Sequence, residues 1–238
     1  MSILITGAGR RIGRAMAEVF HASGHNLLLH CNQSISETQK LADELNSRRD
    51  GSAHVVVLDL ACIDQFERFS SQCLQYSDSL EALINNASVF YPTPLPAVTP
   101  AQFNNLIDIN LRAPYFLIKA FSQHLRGGSI VNIIDIYAEK PLMNFSAYSA
   151  SKAGLLMLTR SLAVELAPHT RVNGIAPGAI LWPDDKTMDS KAIEQVLDAI
   201  PSGKIGHPKD IAQAALFLVD HAQAITGQII PVDGGSSI

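Results

Sequence analysis

Tyr148 and Lys152 stand four residues apart in a stretch whose other residues, Ala147, Ala150, Ala153, Leu155 and Leu156, favour helix. Positions i and i+4 share a helix face, so a phenol and an ammonium there can act on one small volume. A free phenol, with a pKa of about 10, exchanges protons poorly at neutral pH, and a cation held beside it favours the phenolate and lowers that value. Asp135 lies thirteen residues before Tyr148, directly after the apolar run Ser129–Ile134. That run reads as a buried strand, which puts Asp135 at the carboxyl edge of a sheet, where ligands lie in open α/β folds. Tyr-x-x-x-Lys also arises by chance in helices, so the surrounding elements must decide whether the spacing is chemistry.

Those elements alternate almost to the end of the chain. Ile3–Ile5, Asn26–His30, Ala53–Leu58, Ala82–Ile84, Ser129–Ile134, Arg171–Ile175 and Gln228–Val232 read as strands. Segments near 11–23, 36–48, 64–76, 101–126, 147–167, 189–199 and 208–221 read as helices. Such alternation predicts a seven-stranded parallel sheet with helices on both faces, a doubly wound α/β fold. No repeat, linker or composition shift divides residues 1–238, so one domain is expected.

At 238 residues, 47% hydrophobic and 17% charged, the chain can bury a sizeable core and does not resemble a disordered one. A net charge of −4 offers no basic footprint for nucleic acid or an anionic membrane. Cys31, Cys62 and Cys73 form no CxxC pair, so free thiols in a reducing compartment and no metal site are expected. The N-terminus enters strand at once, and no apolar run approaches ~18 residues, so the cytoplasm is the expected location.

The first strand leads into Thr6-Gly7-Ala8-Gly9-Arg10-Arg11-Ile12-Gly13. A glycine-rich turn between strand and helix brings backbone N–H groups and a helix N-terminus to a phosphate, and two guanidinium groups there add bidentate contacts. After the second strand an NAD-type site usually carries Asp or Glu, roughly 20 residues past the glycines. This chain has His30-Cys31-Asn32-Gln33-Ser34 instead. Neutral donors, a histidine and nearby Arg10 suit a 2′-phosphate, so NADPH is favoured over NADH. Asp59-Leu60 closes the third strand, where the carboxylate can accept from an adenine amino group or cap the next helix. Asn85-Asn86-Ala87-Ser88 follows the fourth, with Phe90 a platform for a flat ligand at the crevice mouth. Asn110, in an apolar helix, is either a satisfied structural residue or an organiser of water and backbone. The Pro177–Asp185 loop, with Gly178, Ile180 and the sole Trp182, reads as a lid.

Taken together these motifs resemble the short-chain dehydrogenase/reductases over nearly the whole length. They comprise the N-terminal glycine motif, Asp59, Asn85-Asn86-Ala87, Asn110, Tyr148-x-x-x-Lys152, Pro177-Gly178 and the ending Thr226-Gly227-Gln228 to Val232-Asp233-Gly234-Gly235. The resemblance implies a Rossmann-type domain and a nicotinamide cofactor. Two departures from the family pattern carry information: Arg11 stands for a glycine, and Asp135 stands for a serine. That serine donates a hydrogen bond to a substrate carbonyl oxygen, whereas an ionised carboxylate only accepts and repels such an oxygen. Asp135 therefore points away from ketones and toward substrates that present N–H or amino groups, with reduction at C=N.

Arg10-Arg11, the His30–Ser34 segment, Ser88 with Phe90, the Asp135, Tyr148 and Lys152 set, and Pro177 to Pro183 resemble the pteridine reductase branch, in its bacterial form. That resemblance implies NADPH-dependent reduction of pterins, and of dihydrofolate, by hydride transfer to ring C=N bonds. It further implies that Phe90 and the nicotinamide sandwich the pterin, with Trp182 beside it, and that Arg11 and Ser88 contact substrate and cofactor phosphates. Tyr148 and Asp135 would handle protons, Lys152 would bind the nicotinamide ribose and hold the Tyr148 pKa down, and Asn110 would support Lys152 through water. Contacts to the cofactor would come from Gly7, Arg10, Arg11, Ile12, Gly13, His30, Asn32, Ser34, Asp59, Leu60, Asn86, Ala87, Ser88, Tyr148, Lys152, Pro177, Gly178 and Ile180. Gln33 stands where some members carry a basic residue. A homotetramer joined through the helices near 101–126 and 147–167 is implied too. The competing readings are a carbonyl reductase of the same fold, which Asp135 opposes, and a nucleotide-binding sensor without turnover, which has no need of Tyr148 and Lys152.

Overall fold

Strand β1, Ser2–Ile5, is buried along its whole length and lies in the interior of the sheet. A strand with neighbours on both sides and helices on both faces has no solvent face, which is why Ile3-Leu4-Ile5 is continuously apolar rather than alternating. In the computed structural model, which describes residues 1–180 and 190–238, seven parallel strands run in the order β3-β2-β1-β4-β5-β6-β7. The others are β2 Leu27–Cys31, β3 Ala53–Val57, β4 Leu80–Asn85, β5 Ser129–Ile133, β6 Arg171–Pro177 and β7 Ile229–Val232. Pairing is in register from Ile3 against Leu27 and Ala82 outward.

Alternate residues of β1 feed two cores. Ile3 and Ile5 pack with Met16 and Phe20 of α1 (Arg11–Ala22), Leu41 and Leu45 of α2 (Ile35–Asn46), and Ile211 of α8 (Pro208–Leu216). Leu4 faces the other way, onto Phe66 and Phe69 of α3 (Phe66–Cys73), Leu117 and Phe121 of α5 (Ala113–Phe121), and Leu162 of α6 (Ser146–Glu165). Each such fully buried side chain contributes about 1.5–3 kcal/mol. Helices α4 (Pro100–Ile107) and α7 (Ser190–Asp198) complete the set.

Two of the expected helices are interrupted, whereas 147–167 forms the unbroken α6. Segment 101–126 is α4, a π-helical turn Asp108–Arg112, α5 and a short 3₁₀ turn Ser122–His124. Segment 208–221 is α8 followed by a π-helical turn Phe217–His221. An extra residue shifts the phase of the apolar stripe without ending it, so a run of apolar residues does not mark these breaks. Strand order reverses between β1 and β4, and the crevice described next opens at the carboxyl ends of those strands.

Candidate active site

The glycine-rich turn is fixed from both sides. The Thr6 hydroxyl donates to the Ile84 carbonyl at 3.2 Å and accepts from the Asn86 and Ala87 backbone N–H groups at 2.9 and 3.0 Å. The Asn86 side-chain amide donates to the carbonyls of Thr6 and Gly7 at 2.8 and 3.1 Å. Gly7 has φ +64, which only glycine adopts freely, and a Cβ on Gly13 would lie 2.1 Å from the Gly7 carbonyl oxygen. Arg11 takes φ +50 at the position where the family pattern has glycine. An L-residue holds that conformation at a cost of roughly 1–2 kcal/mol, which a side chain with work to do at the site would justify.

His30 corrects an expectation. Its Nδ1 accepts from the Gly7 N–H at 3.2 Å, and its Nε2 meets the Leu58 carbonyl at 3.0 Å, which requires the neutral Nε2–H tautomer. Burial lowers its pKa to about 4. With both nitrogens spent on backbone, His30 shapes the turn and is not a cation for a phosphate. Around it Arg10, Asn32, Gln33, Ser34 and Asp59 line one end of the crevice. The Asp59 carboxylate accepts from the Ala61 N–H at 2.9 Å, closing a tight turn rather than capping α3.

At the other end, β5 runs out at Ile133, and Asp135 becomes the N-cap of a 3₁₀ turn, Ile136–Ala138. One carboxylate oxygen accepts from the Tyr137 N–H at 2.9 Å, and the other accepts from the Tyr148 hydroxyl at 2.7 Å. Burial raises the Asp135 pKa against the opposing pull of those two donors and Lys152. Tyr148 is buried, and burial together with the neighbouring Asp135 raises its phenol above the usual value. Lys152, also buried, donates from Nζ to the Ile133 carbonyl at 2.9 Å and lies 5.8 Å from the Tyr148 ring centroid. Burial lowers its pKa to about 8, with Asp135 opposing. The phenol therefore keeps its proton: the dry surroundings and the Asp135 carboxylate, rather than Lys152, set the direction of its shift.

Asn110 sits in the π-helical turn and is fully committed. Its Oδ1 accepts from the Ser88 hydroxyl at 3.0 Å and the Val89 N–H at 2.9 Å, while Nδ2 donates to the Val89 carbonyl at 3.0 Å and Ser151 Oγ at 3.1 Å. The side chain therefore clamps the loop after β4 to α6. Phe90 is half exposed, stacks on Phe145 at 4.5 Å and meets Tyr148 edge-on at 4.7 Å, so one of its faces is already covered.

The glycine-rich turn, the loop from Asn86 to Phe90, Asp135, Tyr148 and Lys152 line one crevice of about 980 Å³ that also takes in Ile12, Leu60, Asn105, Ile109 and Tyr137. Along its length the family described as Enoyl-(Acyl carrier protein) reductase matches residues 7–237. The chain belongs to the short-chain dehydrogenase/reductases.

Within that family the chain is 34% identical to Pteridine reductase 1 of Leishmania tarentolae, over 99% of this chain and 96% of the relative. It is 34% identical to L-xylulose reductase of Mesocricetus auratus, over 98% and 94%. A 3-oxoacyl-(acyl-carrier-protein) reductase of Thermotoga maritima is 32% identical, over 98% and 96%. An oxidoreductase with a nicotinamide cofactor follows from family membership. The residues present fit such a cofactor: the close approach of Gly13 to the Gly7 carbonyl leaves backbone, not side chain, where the glycine-rich turn lines the crevice.

The crevice of this dehydrogenase/reductase brings together Gly7, Arg10, Arg11, Ile12, Gly13, Asn32, Ser34, Asp59, Leu60, Asn86, Ala87, Ser88, Phe90, Asp135, Tyr148, Lys152, Pro177, Gly178 and Ile180. Trp182 lies outside the described residues. Thr6 and Tyr137 were not singled out from sequence. Thr6 could have been found as the hydroxyl at the end of β1, and Tyr137 as the residue two past Asp135, the position whose N–H an Asx turn uses. Among the described residues no helix is long and apolar enough to cross a membrane, and no group of three or more His, Cys, Asp or Glu is placed to hold a metal ion.

Proposed function

We propose that the protein is an NADPH-dependent reductase of pterins, and of dihydrofolate, acting on ring C=N bonds. The observation that carries this reading is the Asp135 carboxylate, 2.7 Å from the Tyr148 hydroxyl and engaged by no cation within salt-bridge distance among the described residues. A carboxylate there repels a ketone oxygen and accepts from ring N–H and amino groups, which a pterin presents. Sequence similarity does not separate the substrates, since sugar and ketoacyl relatives stand at nearly the same identity.

Bound NADPH supplies the hydride. Tyr148, kept protonated by burial and by Asp135, is the donor for the ring nitrogen as it gains charge. Asp135 holds the substrate through its N–H groups and keeps the phenol aimed. Lys152, cationic below about pH 8, balances the charge left when Tyr148 gives up its proton. The cofactor's phosphates fall to the Gly7–Gly13 turn and to Arg10, Asn32 and Ser34. Arg11 and the free face of Phe90 are the proposed pterin contacts, and Trp182 stays a candidate.

The reading extends to assembly and place. Phe103 of α4, Tyr115 of α5 and Met157 and Val164 of α6 are large apolar side chains left exposed, which suits the proposed homotetramer. Three free cysteines suit the cytoplasm. The test is NADPH oxidation with oxidised pterin, dihydropterin, dihydrofolate and a ketone, run on the wild type and Asp135→Ser. Pterin turnover that is lost in the variant is the expected result. Activity on the ketone alone, or full pterin turnover by Asp135→Ser, overturns the reading.

A further inference from the structure

We propose that Glu37 is an internal competitor for the cofactor's 2′-phosphate, occupying in the free enzyme the donors which that phosphate needs; this rests on the NADPH reading above. Helix α2 starts against the glycine-rich turn: a Cβ on Gly9 would lie 2.3 Å from Thr38 Oγ1, in the helix's first turn. Its N-terminus therefore stands beside the crevice end lined by Arg10, Asn32, Gln33 and Ser34. The first turn of a helix presents N–H groups without intrahelical partners and the positive end of the dipole. Ser34, at the N-cap, makes no side-chain capping bond.

That donor set already holds an anion. Glu37 is the only acidic residue in the first turn of α2, and its carboxylate pairs with the Arg10 guanidinium. The Glu37 pKa is held below the usual carboxylate range by its own backbone N–H first and by Arg10 next, so the group is ionised at neutral pH. A phosphate on the adenosine ribose and the Glu37 carboxylate cannot both take Arg10 without bringing like charges together. Binding of NADPH must turn Arg10 away from Glu37, whereas NADH, with a plain hydroxyl, leaves the pair intact. Glu37 thereby narrows the preference between the two cofactors. Both side chains are largely exposed, so the effect is modest and screened by salt.

The experiment is a fluorescence titration of NADPH and NADH, without substrate, on wild type, Glu37→Gln, Arg10→Ala and the double variant. Glu37→Gln is expected to tighten NADPH about 1.5-fold to fivefold, the range an exposed charge pair carries, and to leave NADH unchanged. In the Arg10→Ala background the gain is expected to vanish, because no shared guanidinium remains to be contested. Unchanged or weaker NADPH binding by Glu37→Gln, equal tightening of both cofactors, or a gain that persists without Arg10 each overturns the competitor role. A wild type that binds NADH more tightly than NADPH removes the NADPH reading instead, and is scored separately from the effect of Glu37→Gln.

Discussion

His25 and His30 flank the same strand, one just before β2 and one within it, and the fold treats them in opposite ways. At the amino edge of the sheet, the His25 ring lies between Glu81, 2.6 Å from Nδ1, and Asp220, 3.1 Å from Nε2. Two carboxylates can both be satisfied only by the imidazolium, which donates from each nitrogen. Burial pulls the His25 pKa down, yet the two carboxylates more than reverse that, and the net shift is upward. At the carboxyl edge, His30 faces a backbone N–H and a carbonyl, which together demand the neutral ring, and its pKa falls to about 4.

The contrast extends beyond two residues. The amino edge also spends charged groups on the backbone: Arg171 donates to the carbonyls of Leu218, Val219 and Ala222 at 2.7, 2.8 and 3.1 Å, closing the end of the π-helical turn after α8. At the carboxyl edge compensation is incomplete, with Lys152 pushed down to about 8 and both Asp135 and Tyr148 pushed up. Groups held away from their ordinary proton affinities in a cleft are the ones able to exchange protons with a substrate. One edge keeps the fold together, and the other is left able to react.

The sharpest way to break this division is at Tyr148. Tyr148→Phe is expected to cut turnover by roughly 100- to 10,000-fold, the worth of a positioned general acid, with NADPH affinity kept. An unaltered rate in steady-state assays would return Tyr148 to a packing role. A smaller effect comes from pH alone. Turnover should decline as pH rises through about 8, where Lys152 loses its charge, by up to about tenfold per pH unit. A flat alkaline limb would show that this cation is not required.

The opposite edge gives a stability effect instead. His25→Gln should cost about 1–3 kcal/mol by leaving Glu81 and Asp220 poorly partnered, and should leave cofactor affinity unchanged. Because the folded His25 pKa is raised, its contribution is complete below the unfolded value of about 6.5 and fades as pH climbs through the folded one. The gap in melting temperature between wild type and variant should accordingly be wide at acid pH and narrow at alkaline pH. A gap independent of pH would sink the imidazolium assignment.

Much of this arrangement was legible in the sequence. Apolar runs located all seven strands, most plainly the five between the edge strands β3 and β7, because central parallel strands are buried on both faces. The turn chemistry of Gly7–Gly13 and the spacing of Asp135, Tyr148 and Lys152 gathered the site. What stayed hidden depended on direction rather than type. His30 reads as a donor at a strand end, and nothing local says that its ring turns back under Gly7. The upward shift of Tyr148 comes from desolvation first and from Asp135 next, which only distances and burial decide. The partners of Asn110 come from Val89 and Ser151, far away along the chain.

The π-helical turn at Asp108–Arg112 places a constraint on the gene that no single substitution reveals. A helical turn of this kind holds one residue more than its α-helical counterpart. In-frame loss of one codon here would restore regular winding, and everything after it would rotate by about 100° relative to what precedes it. Either Asn110 would swing off Val89, or Leu117 and Phe121 would leave the core. This stretch should therefore tolerate exchange of many of its letters, but no change in their number.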